Sequence, residues 1–559
     1  MNRVPTSVRN ALCVAVAVLW GTACNSNLDN APNADAGANA DMAAERDGAP
    51  ADATLPGMDG SGPGPDAGVD AGFLDLSIEP DAGSPTDGDF YVSTTGNDSN
   101  PGTLDQPFRT LARLNDALLA LGPSAAGKVA YIRGGTYLSE AGDAASVHFV
   151  LHDLHGTAGN PIRVWAYPGE RPIFSCENIT PTYENPFIFY LDSSSYVHLK
   201  GLSFTMLRQV ASGTGISRGV NIAGCDHATI ELLDVSNVSG TGFFVSESSS
   251  GTPSTYNHIL NVDSHNNGDG LGDPAHPEYG TWNTGDGFGN TGGDTSSNNV
   301  YEGCRAWLNS DDGYDWFDWA GTRVELRGCW SFWNGIKPWG PINTQPNASE
   351  MTPTDPSVFF GDADYVVSFE AGEGFKLGGF GGAGPEGMPT VLKKYLSNCV
   401  SFENMGTGYS ENMAAEHSHA MQFLNCVAYS NGNDGFGFGV GRSVGIAHVF
   451  RNNWAFHNNQ IASGADWVYD GEPDNISNNY WASVYNEVNY GNLLGAVTVT
   501  NADFASVSSL GAAGPRQADG SLPELDFLHL AADSDLIDRG VDVGLPYNGA
   551  SPDVGAYER

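Results

Sequence analysis

The chain has 559 residues, with 24 Lys and Arg against 66 Asp and Glu and a formal charge of −42. Such a balance leaves no basic patch for nucleic acid. An acidic protein that acts on an acidic polymer needs a cation between them; a cationic substrate is the other implication of the charge.

Residues 1–24 carry Arg3 and Arg9, an apolar run from Ala11 to Trp20, and then Gly21-Thr22-Ala23-Cys24. The run is too short to cross a bilayer as a helix and reads as a signal peptide. Cys24 after small residues predicts a lipoprotein site of a bacterial envelope, although Gly21 stands where leucine is usual. Plain secretion with cleavage after Ala23 is the alternative. Either route predicts a secreted or cell-surface protein that meets membrane only through a lipid. Residues 25–88 are Asp, Ala, Gly and Pro with few large apolar side chains. They cannot bury enough surface to offset ordering, and predict a disordered tether.

From residue 89 to 559 the composition shifts to Gly, Asn, Ser and aromatics, with almost no helical periodicity. Phe108–Leu121 is the one amphipathic helix, expected to cap the open end of a first coil. Further on a pattern recurs: Cys304-Arg305-Ala306-Trp307-Leu308-Asn309, Cys329-Trp330-Ser331-Phe332-Trp333-Asn334, and Cys399-Val400-Ser401-Phe402-Glu403-Asn404. It returns from Cys426 to Asn431 and from Asn453 to Asn458, with weaker copies at Val262–His265 and Val366–Phe369. Cys304 to Cys329 is 25 residues and Cys399 to Cys426 is 27. Larger gaps hold glycine- and proline-rich insertions at 268–285, 335–361 and 378–390.

A period of that size with two-residue alternation predicts a β-solenoid, a parallel β-helix, expected as a monomer. Asn309, Asn334, Asn404, Asn431 and Asn458 would form a ladder of side-chain amides at one turn. The cysteines are expected as buried thiols stacked inside, a disulfide between adjacent coils being the alternative. The ending Asp526–Glu558 is expected to close the far end.

After each ladder asparagine comes a Gly-aromatic pair: Asp286-Gly287-Phe288, Asp311-Asp312-Gly313-Tyr314-Asp315, Glu373-Gly374-Phe375-Lys376, Thr407-Gly408-Tyr409 and Asp434-Gly435-Phe436. With coils in register, Asp286, Asp311, Asp312 and Asp315 converge, and Lys376 takes the slot of Asp315 two coils on. Other copies carry Gly289, Ser410 or Gly437 there, so only these two coils place a charge. Four carboxylates in a small site call for a cation, and hard oxygen ligands favour Ca2+.

These residues resemble the family-nine polysaccharide lyases, which include pectate lyases. The resemblance rests on NSDDGYD (309–315), GDGF (285–288) and GFKLGG (374–379), with YVSTTGNDSNPGTLDQPFRTL (91–111), YIRGGTY (131–137) and DVGAYE (553–558). It spans 90–559 and implies a right-handed parallel β-helix. It further implies calcium on Asp286, Asp311, Asp312 and Asp315, with Lys376 as the base. One departure stands out: the resemblance implies a lysine after DGF, where this chain has Gly289-Asn290-Thr291. The implied reaction is β-elimination on a pectate-type acidic polysaccharide. Lys376 takes the C5 proton of a uronic acid and the glycosidic oxygen leaves from C4.

Two other classes remain open at this point. A glycoside hydrolase would use Asp311 and Asp312 as an acid/base pair with tips about 5–9 Å apart. A non-catalytic surface adhesin would use calcium only to pin turns. Among further candidates, His417 and His419 could hold a transition metal. Lys337, Lys393 and Lys394 could touch acidic sugar, and tryptophans within 316–339 could stack on it, whereas Trp307 reads as core. His155-Gly156 invites comparison with β-helix pectin hydrolases, whose other motifs are absent.

Overall fold

The computed structural model describes residues 87–559 except 184, 210–216, 271–283, 292–295, 317–322, 337–371, 379–391, 412–419, 439–447, 461–466, 470–475 and 483–496. The signal peptide, Cys24, nearly all of the tether, His417, His419 and Lys337 therefore lie outside the described residues. No helix among those described is long and apolar enough to cross a membrane.

Leu111–Leu121 forms the expected helix, three residues shorter at its start than the apolar pattern suggested. Thr110 sets that start by accepting the Arg113 N–H on its side chain, which satisfies a donor the helix itself cannot. Leu111, Leu114, Ala117 and Leu118 are buried against the first coils.

Everything else described that is regular is strand or short turn. The chain passes through three sheets in rotation, giving parallel sheets of 12, 11 and 10 strands among the described residues, here sheets A, B and C. Each strand pairs with its counterpart one coil away. This is a right-handed parallel β-helix.

Close packing at the turn between sheets B and C explains the repeated motif. The residue before each ladder asparagine is left-handed: φ is 53° at Leu308, 56° at Trp333, 53° at Glu403, 56° at Ser430 and 59° at His457. Holding non-glycine residues there is unfavourable. What offsets it is the expected ladder. Asn309 Nδ2 donates to Asn334 Oδ1 (2.9 Å), Asn334 to Asn404 (2.9 Å), Asn404 to Asn431 (3.0 Å) and Asn431 to Asn458 (2.9 Å). Asn267 extends it by one coil, donating to Asn309 at 2.9 Å. The glycine that follows has no freedom to be anything else. A Cβ on Gly313 would lie 2.0 Å from Ser331 Oγ, and one on Gly374 2.1 Å from Ser401 Oγ.

Inside sheet C the aromatics of the Gly-aromatic pairs stack coil on coil. Ring centroids are 4.7 Å apart for Phe288–Tyr314, 4.6 Å for Tyr314–Phe375, 4.9 Å for Phe375–Tyr409 and 4.6 Å for Tyr409–Phe436. Because side chains alternate along a strand, this stack fixes which residues face outward beside it. Cys176, Cys225, Cys304, Cys329, Cys399 and Cys426 are buried free thiols, as the default reading held.

Two expectations are corrected. No coil separates the 311–315 segment from the 373–376 segment. Sheet B passes directly from Trp330–Phe332 to Val400–Phe402, and sheet C from Tyr314–Asp315 to Phe375–Lys376. The weak copy at Val366–Phe369 lies outside the described residues. The ending is not confined to the far end: it also lies along the side of the coils. Trp307, Trp330, Phe332, Phe402, Tyr429 and Phe456 face outward on sheet B, and Val497–Val554 covers them in one apolar cluster. Phe527 meets Phe402 edge-on at 4.8 Å. An outer aromatic stripe of that size must be shielded from water, and the tail is what shields it.

Candidate metal and catalytic site

Across sheet C the residues that follow the stacked aromatics form one outward column. Gly289 pairs with Asp315, Asp315 with Lys376, Lys376 with Ser410 and Ser410 with Gly437. The two charges are thus adjacent, one strand spacing of about 5 Å apart.

Asp286 and Asp312 precede the glycines of the Gly-aromatic pairs in their coils, and the turn places both carboxyl groups against this column. One carboxylate oxygen each from Asp286, Asp312 and Asp315 lies within 4.8 Å of the others. Thr241 Oγ1 donates to Asp286 Oδ2 (2.9 Å), and the Asp312 N–H donates to Asp286 Oδ1 (3.2 Å). The Glu373 N–H donates to Asp312 Oδ1 at 2.7 Å. Lys376 Nζ lies 2.9 Å from Asp312 Oδ2 and 3.4 Å from Asp315 Oδ2. Asp312 is 1% exposed at its side chain, whereas Asp315 (20%) and Lys376 (18%) reach solvent.

Electrostatics follow from that crowding. Burial, then Asp315 and Asp312, pushes the Asp286 carboxyl well above the usual range. Asp311 is raised by burial and by Asp312, and Asp312 is raised by burial. For Lys376 burial opposes the ammonium, yet Asp312, Asp315, Asp311 and Glu373 outweigh it and hold the proton on tightly.

Of the four aspartates singled out in the sequence, three converge and one stands behind. Asp311 is buried and feels the charge of Asp312, Lys376 and Asp286, but it is outside the group of three. Glu373 was quoted in its motif without being given a role. It sits one coil beyond Asp312, in the same position before the glycine, and burial and Asp312 raise its carboxyl to about 8. The signal was available: Asp286, Asp312 and Glu373 precede aligned Gly-aromatic pairs.

The other candidates fare differently. Trp316, Trp330 and Trp333 are buried, at 0%, 4% and 1% exposure, so these three cannot stack on a sugar; Trp319 and Trp339 lie outside the described residues. Trp307 is buried as expected, though beneath the tail rather than inside the coils. Lys394 is fully buried in the strand Leu392–Ser397 and cannot meet a polymer. His155 is exposed and shares a hydrogen bond with Ser195 Oγ at 3.1 Å.

Clustered carboxylates with only oxygen donors, forced to hold protons or an ammonium, suit a hard divalent cation. The residues present fit such an ion.

Known proteins share this fold. The Pel9A-like right-handed β-helix region matches residues 90–351. Pectate lyase L of Dickeya dadantii is 27% identical over 486 residues, covering 87% of this chain and 94% of that protein. The crystal structure of pectate lyase Pel9A superimposes with a TM-score of 0.58 at 25% identity, covering 84% of this chain and 96% of that one. A rhamnogalacturonan lyase gives a TM-score of 0.57 at 26% identity, covering 79% and 96%. Fold and relatives together define a polysaccharide lyase of the parallel β-helix class. Within that class its similarity is to the pectate lyases.

Proposed function

We propose that the chain is a calcium-dependent lyase that cleaves polygalacturonate-type uronides by β-elimination. The observation that carries this reading is the pairing of Asp315 with Lys376 beside the converged Asp286 and Asp312. The pectate lyases among its relatives favour a galacturonate backbone over the rhamnogalacturonan of the other structural neighbour.

Asp286, Asp312 and Asp315 would hold calcium, with Asp311 adding negative charge behind them. When bound there, the ion supplies a Lewis acid for the uronate carboxylate, which gathers charge as C5 is deprotonated. Lys376 is kept protonated by the surrounding carboxylates. With those carboxylates engaged by a dication, Lys376 would lose that pull and its neutral amine would be favoured. Nζ, partly exposed on the outer face, is then placed to accept the C5 proton. The C5–H electron pair becomes the C4–C5 double bond, and the C4–O bond breaks toward the leaving sugar. The glycosidic oxygen takes its proton from water.

The deciding experiment follows products on de-esterified polygalacturonate, with calcium and with chelator. Rising ultraviolet absorbance, together with reducing ends and only with calcium, is the expected outcome. Reducing ends without absorbance would move the protein to the hydrolases, and binding without either would make it an adhesin. The same reading places the enzyme outside the cytoplasm, tethered through lipid on Cys24. Cys24→Ala should move it from the membrane fraction to the medium, and unchanged fractionation would refute the anchor.

A further inference from the structure

The outward column that carries Asp315 and Lys376 continues toward the N-terminal coils. There the register runs Tyr190, Asn221, Phe244, Gly289 and Asp315. Gly289 leaves the column bare: a Cβ at that position would meet the Phe244 ring at 3.1 Å. Nothing larger than hydrogen therefore separates Phe244 from Asp315 along the face.

Next to this column stands a cation in a protein that otherwise carries a large acidic excess. The Arg218 guanidinium carbon lies 5.6 Å from the Phe244 ring centre and 5.7 Å from that of Phe187. Its Nη1 donates to Asn185 Oδ1 at 3.1 Å. The support behind it is built in layers. Phe187 meets Tyr190 edge-on at 4.6 Å, the Tyr190 hydroxyl is hydrogen-bonded to Asn221, and Asn221 Oδ1 accepts from Ser246 Oγ at 3.0 Å. Phe187, Phe244 and Asn221 are buried, while Arg218 and Tyr190 remain partly exposed. Two rings and an amide thus hold the guanidinium plane in place and leave part of it to solvent.

We propose that Arg218, set between Phe187 and Phe244, is a uronate-binding subsite on the same face as the elimination centre. Its strand is three strand spacings from that of Asp315, about 14 Å along the axis. A chain lying along the face would place one sugar carboxylate at the metal cluster and a later one at this guanidinium. The planar fork of arginine suits a carboxylate in two parallel hydrogen bonds, and holding it rigid beforehand lowers the entropy lost on binding. Tyr190, partly exposed beside it, offers a hydroxyl and a ring edge to the same sugar. The proposal rests on the reading that the substrate is an acidic uronide.

The test uses the full chain with calcium, comparing Arg218→Ala and Arg218→Lys with wild type on trigalacturonate and on polygalacturonate. Trigalacturonate is too short to reach from the metal cluster to Arg218. In Arg218→Ala the polymer KM should rise about tenfold with kcat unchanged, the effect of one charge-assisted contact. The trimer should be cleaved as by wild type. Arg218→Lys should recover only part of the loss, because a point charge lacks the fork. Calorimetric binding of polygalacturonate should weaken by the same factor. If the alanine variant folds poorly, Arg218→Gln keeps the stem between the two rings and answers the same question. An unchanged polymer KM, or an equal loss on the trimer, would overturn the subsite alone. Wild type that neither binds nor cleaves polygalacturonate would overturn the substrate reading and the subsite with it.

Discussion

Replacing Lys376 by alanine removes a base and a counter-ion at once, and calcium separates the two effects. Nζ lies 2.9 Å from Asp312 Oδ2 and 3.4 Å from Asp315 Oδ2. In chelator the ammonium is the cation that the structure places among these carboxylates. Removing one partner of a buried pair destabilises by about 3–5 kcal/mol. The aspartates already favour protonation and can take up a proton instead, which puts the loss near about 3 kcal/mol. Calcium at a hundredfold excess over its Kd contributes about 2.7 kcal/mol to the folded state. The variant should therefore melt well below wild type in chelator, and calcium should narrow that gap to the extent that the variant binds it more tightly. Its calcium affinity should be higher, since no ammonium competes for the oxygens. Activity should fall by about 10²–10⁴, the usual contribution of a general base. The assay pairs thermal melting, with and without calcium, with absorbance on polygalacturonate. Cleavage within a few-fold of wild type would refute the base. Equal destabilisation with and without calcium would make Lys376 a packing residue.

Further outcomes follow from the same geometry. Asp312→Asn and Asp315→Asn should each weaken calcium binding at least tenfold by calorimetry, since one charged ligand is lost; zinc restoring activity better than calcium would contradict the oxygen site. The Glu373 carboxyl rises from its ordinary 4.5 to about 8 in the folded chain. Between those values the folded state binds more protons than the unfolded, so stability falls as pH rises. Metal-free protein should thus melt lower at pH 8 than at pH 5, and Glu373→Gln should flatten that slope; an unchanged slope would discount Glu373. Asn404→Ala removes the partner of the Asn334 N–H and Nδ2 and should destabilise by about 3 kcal/mol, since buried donors lose their acceptor; hydrogen exchange at Asn334 that stays slow would argue against the ladder.

The acidic cluster was legible because register is periodic. Once the Gly-aromatic pairs are aligned, stacked rings at 4.6–4.9 Å leave no freedom in which residue follows them outward. The asparagine ladder was legible for the same reason, since one amide per turn can satisfy the next coil. Depth was harder to read. Trp330 and Phe332 look alike in any periodic count, yet both face outward on sheet B and are buried only because residues more than a hundred positions away lie over them. Coil count also escaped, because Val366–Phe369 matches the repeated pattern although sheet B passes directly from Trp330–Phe332 to Val400–Phe402. Arg218 went unremarked because its partners, Phe187 and Phe244, lie in other coils and outside the repeated motif.

Coils that touch only their neighbours can be lost from an end one at a time. The tail changes that behaviour by acting as a belt buckled at several holes. Arg516 grips Asp263 at 2.6 Å, 253 residues away in sequence. Ser509 Oγ donates to Glu403 Oε2 at 2.6 Å, Val541 N–H donates to Asn452 Oδ1 at 2.8 Å, and Asn478 Nδ2 donates to the Arg539 carbonyl at 2.8 Å. The coils bearing Asp286, Asp312 and Lys376 lie within the span so fastened. Peeling the last coil must therefore loosen a strap that also bears on the coils of the reactive residues. A modular stack becomes a single cooperative body, and the register on which the chemistry depends is guarded from both directions.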